Sequence, residues 1–292
     1  MSIAVSLKIN DGVVLAADSA ATLIGQIQPA PGRPLQTGVV NTYNNANKIF
    51  NLKKGLPIGL ITWGMGSIGT SSISTLAKDL RKRLSGQDEA HTDWKLGDRY
   101  DIKQVAVMVR KFMYEEMYVP AFKDWPQKPE LGFIVAGYSH DPVMADMADE
   151  YHILIKDGQC TEPTLLRKNA ESGLTWSGVP EALTRLVMGF SSALPQILVN
   201  VLKVPPAEIP QIAATLQKAL TAPILQAAMP LQDAIDLAEF MVDLTINWVR
   251  FCPGEPIVAG PIEIAAISKH EGFRWVKRKH YFSKEFNPEE LQ

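Results

Sequence analysis

The chain has little cysteine: Cys160 and Cys252 are its only two in 292 residues, and neither belongs to a C-x-x-C pair. That excludes a disulfide framework and leads to the expectation of a reduced, cytoplasmic protein. Its five histidines (91, 140, 152, 270 and 280) are scattered without metal-ligand spacing, so neither a metal nor a cofactor is expected. Charge of one sign is not in excess either; the formal net charge is −2, which argues against nucleic-acid or membrane-surface partners. The short basic cluster Arg274, Lys277, Arg278 and Lys279 is interleaved with Trp275 and Val276 and reads as a solvated strand end. Long apolar runs are missing, because Pro195, Pro205, Pro206 and Pro210 interrupt the richest region, so no bilayer span is expected. The first residues carry no basic segment ahead of an apolar one, so no secretory signal is expected. What is present, 46% hydrophobic and 21% charged residues, is ordinary for a globule with a sizeable core.

The periodicity sorts the chain into blocks. An apolar run alternates from Ser2 to Lys8, turns at Asn10-Asp11-Gly12 and returns as Val13 to Ala17. This is a hairpin signal, because Asn, Asp and Gly tolerate positive φ in tight turns. Residues 25–40, rich in Gly, Pro and Gln, read as an exposed loop. A second strand pair is expected at 48–52 and 57–63, followed by helices over 68–84 and 102–117. Strands return at 131–137 and 151–156 around an Asp157-Gly158 turn. Helix is expected from Gly178 over 181–190, as two short helices within 191–230, and over 231–249. In the last, Ala234, Leu237, Phe240, Met241 and Leu244 share one face. Strands at 262–268 and 273–277 close the chain. This order gives two antiparallel sheets with helices outside, and no linker divides residues 1–292, so one domain is expected.

The first eighteen residues, M-S-I-A-V-S-L-K-I-N-D-G-V-V-L-A-A-D, hold the densest functional signal. A small hydroxyl residue, Ser2, follows Met1 and opens a strand, which pins it rather than leaving it frayed. The returning strand brings Asp18 back beside the chain start.

The stretch Asp11 to Thr22 (D-G-V-V-L-A-A-D-S-A-A-T) resembles the start of proteasome β-type subunits, members of the N-terminal-nucleophile hydrolases. The likeness resumes in N-K-I-F-N-L, Asn47 to Leu52, and in I-G-L-I-T-W-G-M-G, Ile58 to Gly66. Weaker echoes are F-I-V-A-G-Y at 133–138, W-S-G at 176–178 and A-G-P-I-E-I-A-A-I at 259–267. Order and rough spacing match along nearly the whole chain, with close similarity over about a third of it. The resemblance implies the α+β fold of that superfamily, a four-layer αββα sandwich with two antiparallel sheets between helical layers, carrying insertions near 25–40 and 191–230. It also implies a bacterial proteasome-like protease.

Carried over residue by residue, the resemblance makes Ser2, after removal of Met1, the nucleophile. Its own α-amine would take the proton, since such amines titrate near ~7.7–8.0. Lys48 matches the active-site lysine and Asp18 its carboxylate partner. Gly64 matches the glycine whose N–H faces the developing oxyanion. Ser177 matches a serine that holds the terminal amine, and Glu255 falls where an aspartate orients it. Ala21, Ala46, Phe50 and Thr62 resemble pocket walls and favour small or medium apolar side chains in the substrate. Several positions depart from the family pattern. Serine replaces the usual threonine, whose methyl restricts χ1; Trp176 stands where Gly is common, and Val258 where a second Ser is usual.

The partners implied are other copies of the chain in a homo-oligomeric ring and a peptide or unfolded protein as substrate. An ATP-driven unfoldase is a further partner class that such a ring would admit. Two readings stay open beside this one: an amidase of the same superfamily acting on a small amide, and an inactive ring or scaffold subunit. The segment G-M-G-S-I-G, Gly64 to Gly69, also fits G-x-G-x-x-G. A dinucleotide site would need a second parallel strand ending in an acid about 20 residues on, and that interval reads as helix and polar loop.

Overall fold

The computed structural model of the chain describes residues 2–27, 36–140, 147–168 and 171–280. Its strands are β1 (Ile3–Ile9), β2 (Gly12–Ala17), β3 (Ala21–Ile27), β4 (Gln36–Tyr43), β5 (Ile49–Asn51), β6 (Ile58–Gly64), β7 (Ser67–Ile68), β8 (Ser71–Ser72), β9 (Leu131–Gly137), β10 (Asp149–Lys156), β11 (Gln159–Cys160), β12 (Thr164–Leu165), β13 (Gly173–Gly178), β14 (Glu263–Ser268) and β15 (Gly272–Lys277). The helices are α1 (Ile73–Leu84), α2 (Ile102–Arg110), α3 (Val119–Phe122), α4 (Glu181–Leu183), α5 (Leu194–Asn200), α6 (Ile209–Leu220) and α7 (Leu231–Phe251). The composition is mixed α+β. Among the described residues no helix is long and apolar enough to cross a membrane, and no cluster of His, Cys, Asp and Glu could hold a metal.

Two antiparallel sheets dominate. The first has the order β13-β1-β2-β14-β15, the second β11-β10-β9-β6-β5 with β12 beside β10. The alternation in β1 is not inside against outside, since all seven of its residues are buried. Ile3, Val5, Leu7 and Ile9 pack towards α7, with Ala234, Ala238, Met241 and Val242. Ala4 points the other way, into an apolar layer shared with Ile49, Ile61, Ile134 and Ala136 of the second sheet. The opposite face of that sheet (Leu60, Phe133, Val135) is covered by Leu76, Leu80, Val105 and Val109 of α1 and α2. Side-chain period two on a strand buried on both faces therefore sorts residues between two cores.

Local signals account for the helix ends. Ser72 caps α1 by accepting from the Thr75 N–H at 3.1 Å, and Asp101 caps α2 by accepting from the Gln104 N–H at 2.6 Å. The helix expected to stop at Met117 continues through a π-wound segment, Lys111–Tyr118, into α3. There the Val119 N–H reaches back to the Tyr114 carbonyl, and the wider winding carries the chain past Pro120.

Other expectations are corrected. The first hairpin turns through Asn10-Asp11, with Ile9 opposite Gly12, and both turn residues keep negative φ. Of the segment expected as an exposed loop at 25–40, residues 25–27 and 36–40 lie in the paired strands β3 and β4, and residues 28–35 fall outside the described ones. The helix expected from Ile68 begins at Ile73, after the small β7–β8 hairpin. On α7 the buried stripe is Ala234, Ile235, Ala238, Met241, Val242 and Thr245, while Phe240 is half exposed. Small residues at 234 and 238 let the helix lie close to β1 and β2, which rotates the stripe away from Phe240. The two short helices expected in 191–230 are α5 and α6.

Candidate active site

The cleft that holds Ser2 lies where β1 begins, β2 ends and β6 ends. Its walls are Ser2, Ala20, Ala21, Thr22, Ala46, Asn47, Lys48, Thr62, Trp63, Gly64, Met65, Gly66 and Ile73, and it encloses about 30 Å³. That is room for little more than an ordered water.

Ser2 is 2% exposed and is held by the strand across from it: its carbonyl accepts from the Val179 N–H at 2.9 Å. This contact depends on Gly178, whose φ is +103° and where a Cβ would lie 1.9 Å from the Ser2 oxygen. Sequence reasoning passed over Gly178 as a site residue; the W-S-G motif was its only signal.

Asp18 is fully buried and accepts four donors. Its Oδ1 takes the Lys48 ammonium at 2.5 Å and the Ile3 N–H at 2.9 Å. Its Oδ2 takes the Ala20 N–H at 2.9 Å and the Ala259 N–H at 3.2 Å. The carboxylate thus joins Lys48 to the residue next to Ser2. Desolvation by burial lowers the Lys48 ammonium below the ordinary lysine range, while Asp18 and, at longer range, Glu263 act in the opposite sense.

The backbone of Lys48 is fixed on both sides. Its N–H donates to Glu263 Oε2 at 3.1 Å, and its carbonyl accepts from the Thr62 N–H at 3.0 Å. Gly64 stands two residues beyond Thr62, so strand alternation aims its N–H towards the same edge, past the start of β5. Its φ is +93°, and a Cβ would come within 2.5 Å of the Glu130 carbonyl oxygen, so no other residue fits without strain.

The predicted residues divide. Ser2, Asp18, Lys48 and Gly64 come together, and Ala21, Ala46 and Thr62 line the same cleft. Phe50, expected as a pocket wall, is packed instead in the core beneath α1 and α2, because it lies on the helix-facing side of β5. Ser177 sits opposite Ala4 on the face between the sheets, half-buried, and is not among the cleft walls. Glu255 is exposed on the loop after α7; its carbonyl accepts from the Ile257 N–H, and its side chain stands apart from the cleft. The part of that loop that does reach the site is Ala259, through its backbone.

Lys279 corrects the reading of the basic cluster as a solvated strand end. Lys277 pairs with Glu239 near the surface, but the Lys279 side chain is 8% exposed and faces Glu263. Sequence reasoning singled out neither Glu263 nor Lys279 as a site residue, because Lys279 is one of four bases in that cluster and Glu263 one acid within the 259–267 stretch.

No family model matches the chain, and no curated protein matches it. Among solved structures, the Anbu (Gly-1) mutant from Hyphomicrobium sp. strain MC1 aligns over 98% of this chain and 91% of its own. The sequence identity is 14% and the TM-score 0.49.

Proposed function

We propose that the chain is a proteasome-like N-terminal-nucleophile hydrolase that cuts peptide bonds with Ser2, once Met1 has been removed. The observation that supports this most is the Asp18 carboxylate, which accepts the Lys48 ammonium and the amide next to Ser2 on one oxygen, beside a cleft that Gly64 also lines. We read the fold as one four-layer αββα unit of that superfamily.

In the proposed reaction the Ser2 α-amine accepts the hydroxyl proton while Oγ bonds to the substrate carbonyl carbon. The Gly64 N–H then donates to the oxyanion, a fixed dipole that needs no reorganisation as charge develops. Collapse breaks the C–N bond, and the leaving amine takes the proton from the α-ammonium. Water, deprotonated by the same amine, hydrolyses the resulting ester and restores Ser2. The Lys48 charge, held by Asp18, favours loss of the hydroxyl proton and keeps the neighbouring amine neutral. The narrow cleft, walled by Ala21, Ala46 and Thr62, suits a small apolar side chain beside the scissile bond.

Under this reading the protein works in the cytoplasm as a homo-oligomeric ring on unfolded peptides. An ATP-driven unfoldase would supply those peptides. The half-buried position of Ser177 beside Ala4 leaves it a candidate for holding the amine through the backbone of β1. Glu255 would have to be brought inward to act, and we assign it no step.

The deciding experiment is the mass of the N-terminal peptide of protein purified from its own cell, combined with a peptide-hydrolysis assay. A chain beginning at Ser2 with a free amine that turns over peptides supports the proposal. Retention of Met1, or acetylation of Ser2, would refute it and favour a scaffold subunit. A free Ser2 in a monomer or dimer that cuts small amides but no peptide would favour the amidase.

A further inference from the structure

Behind Lys48 lies a second buried ion pair that the proposed reaction leaves without a task. Glu263, at the start of β14, is 1% exposed. Its Oε2 accepts the Lys48 backbone N–H at 3.1 Å and lies 3.4 Å from the Lys279 ammonium. Lys279 follows β15, and its ammonium also donates to Ser19 Oγ and to the Ala46 carbonyl, each at 2.5 Å. Ser19 Oγ in turn donates to the Pro261 carbonyl at 2.5 Å, and its own carbonyl accepts the Ala46 N–H at 2.9 Å. Four separate segments meet in this knot: the end of β2, the loop before β5, the entry to β14 and the tail after β15. Two of the residues it fixes, Ala46 and Lys48, are walls of the cleft.

We propose that Glu263 and Lys279 are positioning residues for Lys48, fixing the backbone from which its ammonium reaches Asp18 and holding Ala46 as the cleft wall. An apolar pair of the same volume would serve packing alone as well or better, because burying two charges is costly. Here one carboxylate oxygen receives both the Lys48 amide and the Lys279 ammonium, a task that no apolar residue performs. The inference rests on Lys48 being the active-site lysine of the proposed reaction.

The charged groups around Lys48 among the described residues are Asp18 from the end of β2, Glu263 from β14 and Lys279 after β15. Glu263 favours the Lys48 charge, whereas Lys279 and Lys48 repel. Removing each partner should therefore move the titration of Lys48 in opposite directions. The experiment uses the full chain with isotope-labelled lysine, the Lys48 signal being assigned by its loss in Lys48→Arg.

Glu263→Gln should lower the Lys48 midpoint by about one pH unit, and Lys279→Met should raise it by about half a unit. Lys279→Arg should leave it close to wild type. In peptide hydrolysis kcat should fall about threefold in Glu263→Gln and about tenfold in Lys279→Met, with KM nearly unchanged and Lys279→Arg rescuing. If Lys279→Met does not fold, Lys279→Gln, which keeps a donor towards Ser19 and Ala46, should give the same rise. Folded variants whose Lys48 midpoints stay put, or move in the same direction, overturn the proposal. A wild-type protein that hydrolyses nothing refutes the proposed function, while the Lys48 titration still decides the role of the pair.

Discussion

Ser2, just before β1, and Ser6, within it, each sit in a buried polar neighbourhood, yet the two neighbourhoods differ in what they can do. At the far end Ser6 Oγ donates to Glu150 Oε1 at 2.5 Å, Arg167 joins the same carboxylate, and Arg167 also bonds the Thr175 hydroxyl. Lys8, 1% exposed, lies in the field of Glu150, Asp149 and Arg167, and burial lowers its ammonium below the ordinary lysine range. That cluster has as many charges as the one at Ser2. There Glu150 is answered by the side chains of Ser6 and Arg167, and none of these residues lines the cleft at Ser2. At Ser2, Asp18 is answered largely by backbone amides, and Lys48 and the hydroxyl face a cleft. Burial and a depressed lysine are common to both ends. What distinguishes the candidate site is that Ser2, Lys48 and Gly64 line one small cleft.

The largest expected effect breaks this comparison at the cleft end. Ser2→Ala should reduce peptide hydrolysis by about 10³-fold or more, equivalent to about 4 kcal/mol of transition-state stabilisation, with an unchanged unfolding transition. Steady-state kinetics beside chemical denaturation measures both; a rate within tenfold of wild type would move the chemistry away from Ser2. At the other end, Arg167→Met leaves Glu150 buried without its partner and should destabilise by about 3 kcal/mol, while kcat per folded molecule stays within about twofold. A loss of activity without a loss of stability there would erase the distinction between the two ends.

Gly64→Ala should do some of each. The methyl meets the Glu130 carbonyl in a backbone of positive φ, so about 2 kcal/mol of stability should be lost, and the displaced N–H should reduce kcat more than it raises KM. Phe50→Leu sharpens the correction made above. A core position should show a loss of about 1 kcal/mol in denaturation and no change in preference between small and large apolar substrates; a changed preference would return Phe50 to the pocket.

The smallest effect concerns an exposed polar knot. Glu181 accepts from the hydroxyls of Ser191 and Ser192, the Ser192 N–H and Arg185, and these bonds lower its pKa to about 2 from 4.5. A carboxyl with a depressed folded pKa adds stability that is complete above about 4.5 and is lost as pH falls through about 2. Glu181→Gln should therefore lower the denaturation midpoint slightly at pH 7 and leave it unaltered near pH 2. An equal effect at both pH values would mean that the hydrogen bonds do not need the charge.

Much of the framework was legible in the sequence because it is local. Strand period two, the Asp157-Gly158 turn and the apolar periodicity of α1, α2 and α7 placed most elements to within a few residues. Failures occurred where the decisive partner is distant in sequence. Residues 25–27 and 36–40 read as part of a Gly- and Pro-containing loop until β3 and β4 pair. Phe50 was placed in the pocket by resemblance and Phe240 on the buried face by spacing, while their burial depended on which surface the neighbouring helix could approach.

The site divides in the same way. By itself the sequence determined the residue types at Ser2, Asp18, Lys48 and Gly64, and the hairpin that returns Asp18 to the chain start, because short-range strand geometry dictates both. Only the tertiary structure decided that Asp18 bonds Lys48, that Gly178 lets β13 approach Ser2, and that Glu263 and Lys279 stand behind Lys48. Glu255 was left outside by the same decision. These contacts reach from 30 positions (Asp18 to Lys48) to 215 (Lys48 to Glu263), and a buried charge finds its partner through the packing of two sheets, which no local pattern encodes.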